Sequence, residues 1–140
     1  MQQTLLMIKP DAVSRGMAGR ILARLEAEGF SIRRLKLVHL QREEARRFYA
    51  VHEGKPFLEG LVEYISSGPL CAVVLEREDA IVRLRALVGA TDPAAAAEGT
   101  IRKEFGIDRT HNAVHASDAP ETAAVEIAFF GLTLSREGGR

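Results

Sequence analysis

The sequence has few of the features that mark several large classes of protein. It holds one cysteine, Cys71, no tryptophan, and nineteen basic residues against nineteen acidic ones, so its formal net charge is zero. A single cysteine cannot form an internal disulfide, and a zero net charge provides no global positive field that would recruit nucleic acid. No apolar run approaches the roughly 20 residues of a membrane-spanning helix. These absences exclude a disulfide scaffold and argue against membrane and nucleic-acid-binding proteins.

The glycine-rich loops that bind phosphate in many nucleotide-binding proteins are also missing. Residues 4–8 form a short apolar run that stops at Lys9-Pro10-Asp11, a pattern typical of a strand ending in a turn. That turn contains neither G-x-G-x-x-G nor G-x-x-x-x-G-K-[ST]. The missing motif disfavours a doubly wound parallel sheet, which alternating strands and helices would otherwise allow. No His/Cys cluster has the spacing of a structural zinc site.

What is present indicates an ordinary globular domain. The 140 residues are 46% hydrophobic and 27% charged, and neither a repeat nor a linker divides them. We therefore expect a single domain over residues 1–140, with a polar tail at about 135–140. Because Met1-Gln2-Gln3 leads directly into a strand-like segment and not into a signal peptide, we expect a cytoplasmic protein. Cys71 lies in an apolar stretch and is expected to be buried and inert.

Hydrophobic periodicity predicts most of the remaining elements. In chain order they are a helix over 18–28 ended by Gly29, a strand over 30–39 with a break at Arg33-Arg34, helices over 42–51 and 57–66, a strand over 70–76, and a helix over 78–88 ended by Gly89. Residues 89–115 lack sustained periodicity, so we expect a long loop with a helical turn near 101–105. Loops of that length are usually functional.

The C-terminal part of the chain is predicted to contain one more helix. Asp118, Pro120 and Glu121 resemble a capping box in which Asp118 is the N-cap, and the helix then runs to about Phe130. The last ten residues are expected to add at most one short strand. The whole order of elements fits an α+β protein, a ferredoxin-like α/β sandwich whose mainly antiparallel sheet carries helices on one face.

Residues 112–118, Asn-Ala-Val-His-Ala-Ser-Asp, are the most informative segment. A lone histidine before a helix is usually a surface or structural residue, but this segment closely resembles the active-site signature Asn-x-x-His-Gly/Ala-Ser-Asp of nucleoside diphosphate kinases. Further blocks of resemblance follow in the family's order over nearly the whole chain. They are Ile8-Lys9-Pro10-Asp11 with Arg15-Gly16, Tyr49 before Lys55-Pro56-Phe57, Ser67-Gly68-Pro69, residues 89–93, and Gly99-Thr100-Ile101-Arg102.

The resemblance implies a phosphotransferase that moves the γ-phosphate of a nucleoside triphosphate to a nucleoside diphosphate, by a ping-pong mechanism through a phosphohistidine at His115. Imidazole suits this role because its ordinary pKa near 6.5 leaves it unprotonated at neutral pH. In the family a glutamate on the following helix holds the second ring nitrogen, and Glu126 is at the matching position. Ser117 is expected to lie beside the histidine and to bond Glu126.

The transferred phosphoryl group carries spread negative charge, so cations must converge on it. By resemblance the phosphate ligands are Lys9, Arg85 and Arg102, with Thr91 as a hydroxyl donor and Tyr49 against the same site. Taken alone, Arg85 is more typical of a solvated helix face, and Lys9 of an ordinary turn.

The resemblance also implies how the rest of the nucleotide is bound. Phe57 matches the aromatic residue that stacks on the base, and Asn112 matches the residue that bonds the ribose 3′-hydroxyl. Mg²⁺ is expected to be held mainly by the nucleotide phosphates, with Asp118 as the candidate carboxylate. The family further implies a homo-oligomer, either a tetramer or a hexamer.

The chain departs from the family pattern at several positions. Ala116 stands where glycine is commoner, Asp92 replaces the usual asparagine, Ala94 to Ala97 replace a more polar loop, and Arg109 occupies a position near the base that is often small and apolar. The sequence does not determine the nucleoside preference or the effect of these changes.

Two other functions compete with the kinase at this stage. One is a module of the same fold that binds nucleotide without turning it over. The other is a nucleic-acid-binding domain that uses the basic residues between 33 and 47, which are Arg33, Arg34, Lys36, Arg42, Arg46 and Arg47. Because acidic residues are interleaved with these, a solvated face is the better interpretation of the basic cluster.

Overall fold

The computed structural model describes residues 1–133, so the predicted tail at 135–140 lies outside the described residues. Thirteen elements follow one another in this part of the chain. They are β1 (Gln2–Ile8), α1 (Pro10–Ser14), α2 (Ala18–Ala27), β2 (Ser31–Val38), α3 (Arg42–Phe48), a 3-10 turn (Ala50–His52), α4 (Leu58–Ile65), β3 (Leu70–Arg77), α5 (Ala80–Val88), a 3-10 turn (Pro93–Ala95), α6 (Ile101–Phe105), β4 (Val114–Ala116) and α7 (Pro120–Phe129).

The four strands form one sheet in the order β2-β3-β1-β4, and each neighbouring pair is antiparallel. This is the ferredoxin-like α/β arrangement, which confirms the predicted fold class. The register pairs Met7 of β1 with His115 of β4. The sheet therefore places the candidate histidine on an edge strand beside the central strand β1.

Helices cover both faces of the sheet, so the expectation of helices on one face is wrong. Side chains alternate along β1: Leu6 and Ile8 pack with α2 and α5, whereas Leu5 and Met7 pack with α4 and α7. The physical reason is that residues 5–8 of β1 and 70–75 of β3 are uninterrupted apolar runs, and a strand of that kind needs cover on both sides.

Most predicted elements agree with the observed ones to within a few residues, and the predicted break in β2 is a register shift between Ile32 and Arg34. The strand β4 was not predicted, and it lies at the end of the predicted loop over 89–115. Residues 131–133 hold no strand, and the rest of the segment that was expected to add a short strand lies outside the described residues. Three residues are too few to show a period, and β4 owes its strand conformation to pairing with β1.

The start of α7 differs from the predicted one. The N-cap is Ala119 in extended conformation, without a capping side chain, and Asp118 lies outside the helix. Pro120 occupies the first helical position, one position earlier in the helix than the predicted N-cap implied, and its fixed φ suits that position.

Several of the basic residues between 33 and 47 contact acidic groups or backbone carbonyls. Arg33 lies 3.8 Å from Glu76, Arg46 lies 2.7 Å from Glu59, and Lys36 donates to the carbonyl of Phe130 at 3.1 Å. These contacts favour the solvated face over a nucleic-acid surface. Within residues 1–133, no helix has the length and apolar character needed to cross a membrane.

Candidate active site

His115 projects from β4 towards the face covered by α3 and α7. Its neighbours Val114 and Ala116 are buried on the opposite face, so the alternation of the strand turns the imidazole towards Phe48, whose ring centroid lies 5.5 Å away. The carboxylate of Glu126 faces Nε2, with its two oxygens at 2.9 and 3.0 Å. The hydroxyl of Ser117 donates to Glu126 Oε1 at 2.6 Å.

This arrangement distinguishes the two nitrogens of the ring. An ionised carboxylate only accepts hydrogen bonds, so Glu126 favours the tautomer with the proton on Nε2. The lone pair of Nδ1 is then available as a nucleophile. The structure brings His115, Glu126 and Ser117 together, as predicted.

Two arginines contact the open edge of β4 on either side of the histidine. Arg102 Nη2 donates to the carbonyl of Val114 at 3.0 Å, and Arg85 Nη1 donates to the carbonyl of Ala116 at 3.2 Å. Since no further strand pairs with this edge within the described chain, its carbonyls need other donors. The sheet edge thus fixes both guanidinium groups close to His115.

Lys9 joins this group of cations from the end of β1. Its side chain is buried and donates to Asn112 Oδ1 at 2.9 Å and to the carbonyl of Thr110 at 3.4 Å. Burial, and after it the charge of Arg102, lower the pKa of Lys9 to about 8 against a smaller opposing effect of Asp11.

The pKa of Arg102 is lowered to about 10, first by burial and then by the charge of Arg85. Lys9 and Arg102 each have a pKa lowered by a neighbouring cation, so these side chains form a cluster of positive charge. A molecule with zero net charge therefore concentrates positive charge at one place.

Two of the remaining predicted residues interact with groups of the site, and Phe57 is linked to one of them through a further aromatic ring. Tyr49 is buried at the end of α3, and its pKa is raised by burial and then by the charge of Glu126. Asn112 Nδ2 donates to the carbonyl of Thr91 at 3.0 Å. Phe57, at the start of α4, exposes half of its surface and lies 5.1 Å from the ring of His52. A half-exposed aromatic ring is available for stacking.

A metal ion would find few protein ligands here. Asp118 is exposed, and among residues 1–133 no group of three His, Cys, Asp or Glu side chains is arranged to hold a metal. These side chains cannot supply a full set of ligands to a metal ion. They fit an ion that takes most of its ligands from phosphate oxygens and water.

A cavity of about 690 Å³ adjoins the site, and His115 does not line it. Its wall contains Gly60, Tyr64, Arg109 and Thr110, among other residues. The carbonyl of Thr110 accepts a hydrogen bond from Lys9, so a residue of the cavity wall directly contacts the cation cluster. Arg109, one of the departures from the family pattern, is exposed and lies 3.6 Å from Asp92, which is another.

No role was predicted for a network of side chains next to the site. Arg15 and Tyr64, which are partly exposed, each contact the buried carboxylate of Asp11 there. Asp11 and Arg15 belong to blocks that resemble the family, which was the available signal. Their contacts with Tyr64 and with residues about 100 positions later are visible only in three dimensions.

Comparisons with known proteins find similar sequences and structures over nearly the whole chain. A family model described as nucleoside diphosphate kinase matches residues 2–132. A nucleoside diphosphate kinase from Desulfovibrio desulfuricans is 54% identical over 137 residues, which cover 96% of this chain and 99% of that protein.

Two solved structures are also similar to this chain. One is the nucleoside diphosphate kinase of Aquifex aeolicus, with a TM-score of 0.90, 48% identity, and coverage of 92% of this chain and 94% of that one. The other is that of Halobacterium salinarum, solved in complex with CDP, with a TM-score of 0.88, 45% identity, and coverage of 92% and 86%.

Proposed function

The chain belongs to the nucleoside diphosphate kinase family, and from that premise we propose that His115 is the residue that carries the phosphoryl group between nucleotides. The enzyme transfers the γ-phosphate of a nucleoside triphosphate to a nucleoside diphosphate. The observation that supports His115 most strongly is the contact of Glu126 with Nε2, within a cluster of three cations.

In the proposed first half-reaction, the lone pair of His115 Nδ1 attacks the γ-phosphorus. The new N–P bond forms as the bond from phosphorus to the β,γ-bridging oxygen breaks, and the nucleoside diphosphate leaves with that electron pair. Glu126 accepts the hydrogen bond from Nε2–H, which holds the ring in place and stabilises the positive charge that develops on it. In the second half-reaction, a terminal oxygen of another nucleoside diphosphate attacks the phosphorus and the N–P bond breaks.

Lys9, Arg85 and Arg102 are proposed to bind the phosphate oxygens throughout. A unit charge pair at 4 Å is worth about 4 kcal/mol before desolvation at an effective dielectric constant near 20, so such contacts supply a large share of the barrier reduction. Because the sheet edge and Asn112 already hold these side chains, little reorganisation is needed when the substrate arrives.

The other assignments follow the same proposal. Phe57 stacks on the base, Asn112 bonds the ribose, and Thr91 and Tyr49 contact the phosphates. Mg²⁺ bound through the nucleotide, with Asp118 as the candidate carboxylate, would neutralise phosphate charge.

We also propose, from the sequence analysis alone, a cytoplasmic location and a homo-oligomer, tetramer or hexamer. The exposed leucines of β2, Leu35 and Leu37, support self-association.

The test is to incubate the protein with ATP labelled at the γ-phosphate and to isolate the protein. We expect one acid-labile, base-stable label per chain, which a nucleoside diphosphate then removes. The label should be lost in a His115→Ala variant and kept in a His39→Ala variant, whose histidine bonds the carbonyl of Ser66 away from the site. Wild-type exchange by His115→Ala would reject the assignment.

A further inference from the structure

The carboxylate of Asp11 lies at the centre of the network that it forms with Arg15 and Tyr64 beside the site. Its Oδ2 accepts the backbone N–H of Ala113 at 3.2 Å and lies 3.2 Å from Arg15 Nη2. Its Oδ1 accepts the hydroxyl hydrogen of Tyr64. Asp11 is itself buried, two residues after Lys9. Three donors from separate parts of the chain thus converge on one carboxylate.

Ala113 has an unusual backbone conformation that this contact accounts for. Its φ is +75°, in the left-handed region that residues with a Cβ atom avoid, and only Asp79 shares this property among the non-glycine residues that the structure describes. The N–H of Ala113 is bonded to a charged acceptor, which makes a stronger bond than a neutral one. Its carbonyl accepts from the N–H of Lys9 at 2.8 Å.

The left-handed conformation of Ala113 sets the relative orientation of two groups on either side of it. Asn112 comes immediately before it and bonds Lys9 Nζ, while β4 begins immediately after it and carries His115. If Ala113 had a negative φ, the side chain of Asn112 would have a different orientation relative to β4. The position of Lys9, which is bonded to Asn112, would change with it.

Arg15 extends the network to a third part of the site. Its Nη2 donates to the carbonyl of Phe105 at 2.5 Å, and its Nε donates to the carbonyl of Asp11 at 3.0 Å. Phe105 ends α6, the short helix that carries Arg102. The same carboxylate therefore helps to fix the helix of a proposed phosphate ligand.

We propose that Asp11 is a positioning residue for phosphoryl transfer. Its carboxylate holds Ala113 in the left-handed conformation and thereby sets Asn112 and Lys9 relative to His115. The proposal rests on the function proposed above, because that function gives Asn112 and Lys9 their importance. It assigns Asp11 no contact with the substrate.

The test is a double-variant cycle on kcat/KM, with thermal unfolding of each purified variant measured in parallel. We expect Asp11→Ala to lower kcat/KM at least tenfold. Ala113→Gly alone should change it less than threefold, because glycine adopts a positive φ freely. In the double variant Asp11→Ala/Ala113→Gly, kcat/KM should rise at least fivefold above that of Asp11→Ala.

The midpoint of thermal unfolding separates positioning from a general loss of stability. Because glycine at 113 relieves the left-handed strain, Ala113→Gly can raise the unfolding midpoint in both backgrounds. At temperatures where all four proteins are folded, this substitution should raise kcat/KM only in the Asp11→Ala background. An equal factor in kcat/KM from Ala113→Gly in both backgrounds would overturn the proposal. So would wild-type kcat/KM in Asp11→Ala.

A second substitution keeps the test valid if Asp11→Ala does not fold. Asp11→Asn preserves the shape and one acceptor oxygen, and it should lower kcat/KM by a smaller factor that Ala113→Gly again reduces. His115→Ala is assayed beside these variants. Activity in His115→Ala would reject the proposed function, whereas an inactive His115→Ala with fully active Asp11 variants would reject only the role of Asp11.

Discussion

At the scale of single residues, Lys9 illustrates how the site differs from an ordinary surface. A solvated lysine has a pKa of 10.5, while burial and the charge of Arg102 lower the pKa of Lys9 to about 8. The group is therefore close to losing its proton under mildly alkaline conditions. A bound phosphate would supply the anion that the cluster lacks and would raise this pKa again.

This shift predicts an alkaline limit on kcat/KM, which reports the free enzyme. We expect kcat/KM to fall as pH rises through about 8, because deprotonated Lys9 no longer attracts phosphate. The limit on kcat should lie at higher pH, since bound nucleotide raises the pKa of Lys9. Steady-state rates between pH 6 and 10 check this, and a kcat/KM that stays constant up to pH 10 would contradict it.

The same shift predicts an unusual effect of Lys9 on stability. Because its pKa is lower in the folded protein than in the unfolded chain, charged Lys9 destabilises the fold below pH 8, and this penalty disappears as pH rises from about 8 to 10.5. We expect Lys9→Met to increase the free energy of unfolding at pH 7 by roughly 1–2 kcal/mol, after the lost bond to Asn112 is included. The gain should shrink towards pH 10.5.

Denaturant unfolding at several pH values measures this gain. The matched control is Lys103→Met, which removes an exposed lysine next to Arg102. A Lys9→Met protein that is less stable than the wild type at pH 7 would show that the Asn112 bond outweighs the burial of charge.

The roles of single residues could be predicted only where a whole block of the sequence resembles the family pattern. The block around His115 identified Ser117, and the family spacing identified Glu126, and the structure brings all three together. Their catalytic roles stay predictions. Arg85 taken alone looked like a solvated helix residue, because the pattern of α5 does not show that one of its arginines reaches the carbonyl of Ala116 on β4.

At the scale of elements, the site depends on two short or weakly patterned segments. β4 has three residues and α7 begins without a capping side chain. Neither feature could be predicted from local pattern. The strand exists because β1 pairs with it, and the helix start is set by Pro120, which moves the N-cap from the expected Asp118 to Ala119.

The uncapped start of α7 predicts a stabilising substitution. Ala119 has the extended conformation of an N-cap, so Ala119→Ser should place a hydroxyl where it accepts an otherwise unpaired N–H of the first turn. We expect the free energy of unfolding to rise by about 0.5–1.5 kcal/mol with kcat unchanged. Ala124→Ser, at an exposed position within α7, is the control and should lower stability slightly. Equal effects of the two substitutions in denaturant unfolding would contradict capping.

At the scale of the whole molecule, the predicted fold class is confirmed while the covering of the sheet was predicted incorrectly. Alternation was visible in β2 but not in β1 or β3, whose continuous apolar runs require helices on both faces. The outer strand β2 remains uncovered, with 64% of Leu37 and 49% of Leu35 exposed. An unpaired strand edge with exposed leucines is a surface for association with another chain.

The proposed homo-oligomer is therefore expected to use β2. Leu37→Lys should shift the protein to smaller species in sedimentation velocity, because a charge would be buried against the partner. Val82→Lys changes an equally exposed apolar residue on α5 and should leave the sedimentation coefficient unaltered. A wild-type protein that sediments as a monomer, or a Leu37→Lys variant with wild-type sedimentation, would reject this interface.

The central claim is that Glu126 holds one nitrogen of His115 and leaves the other to take the phosphoryl group. It is tested most directly by NMR of protein with ¹⁵N-labelled histidine, recorded at alkaline pH after addition of ATP and Mg²⁺. Because the carboxylate faces Nε2, we predict phosphorus coupling at Nδ1 of His115 and at no other histidine nitrogen. Phosphorus on Nε2, phosphorus on another side chain, or no phosphoenzyme at all would contradict the account.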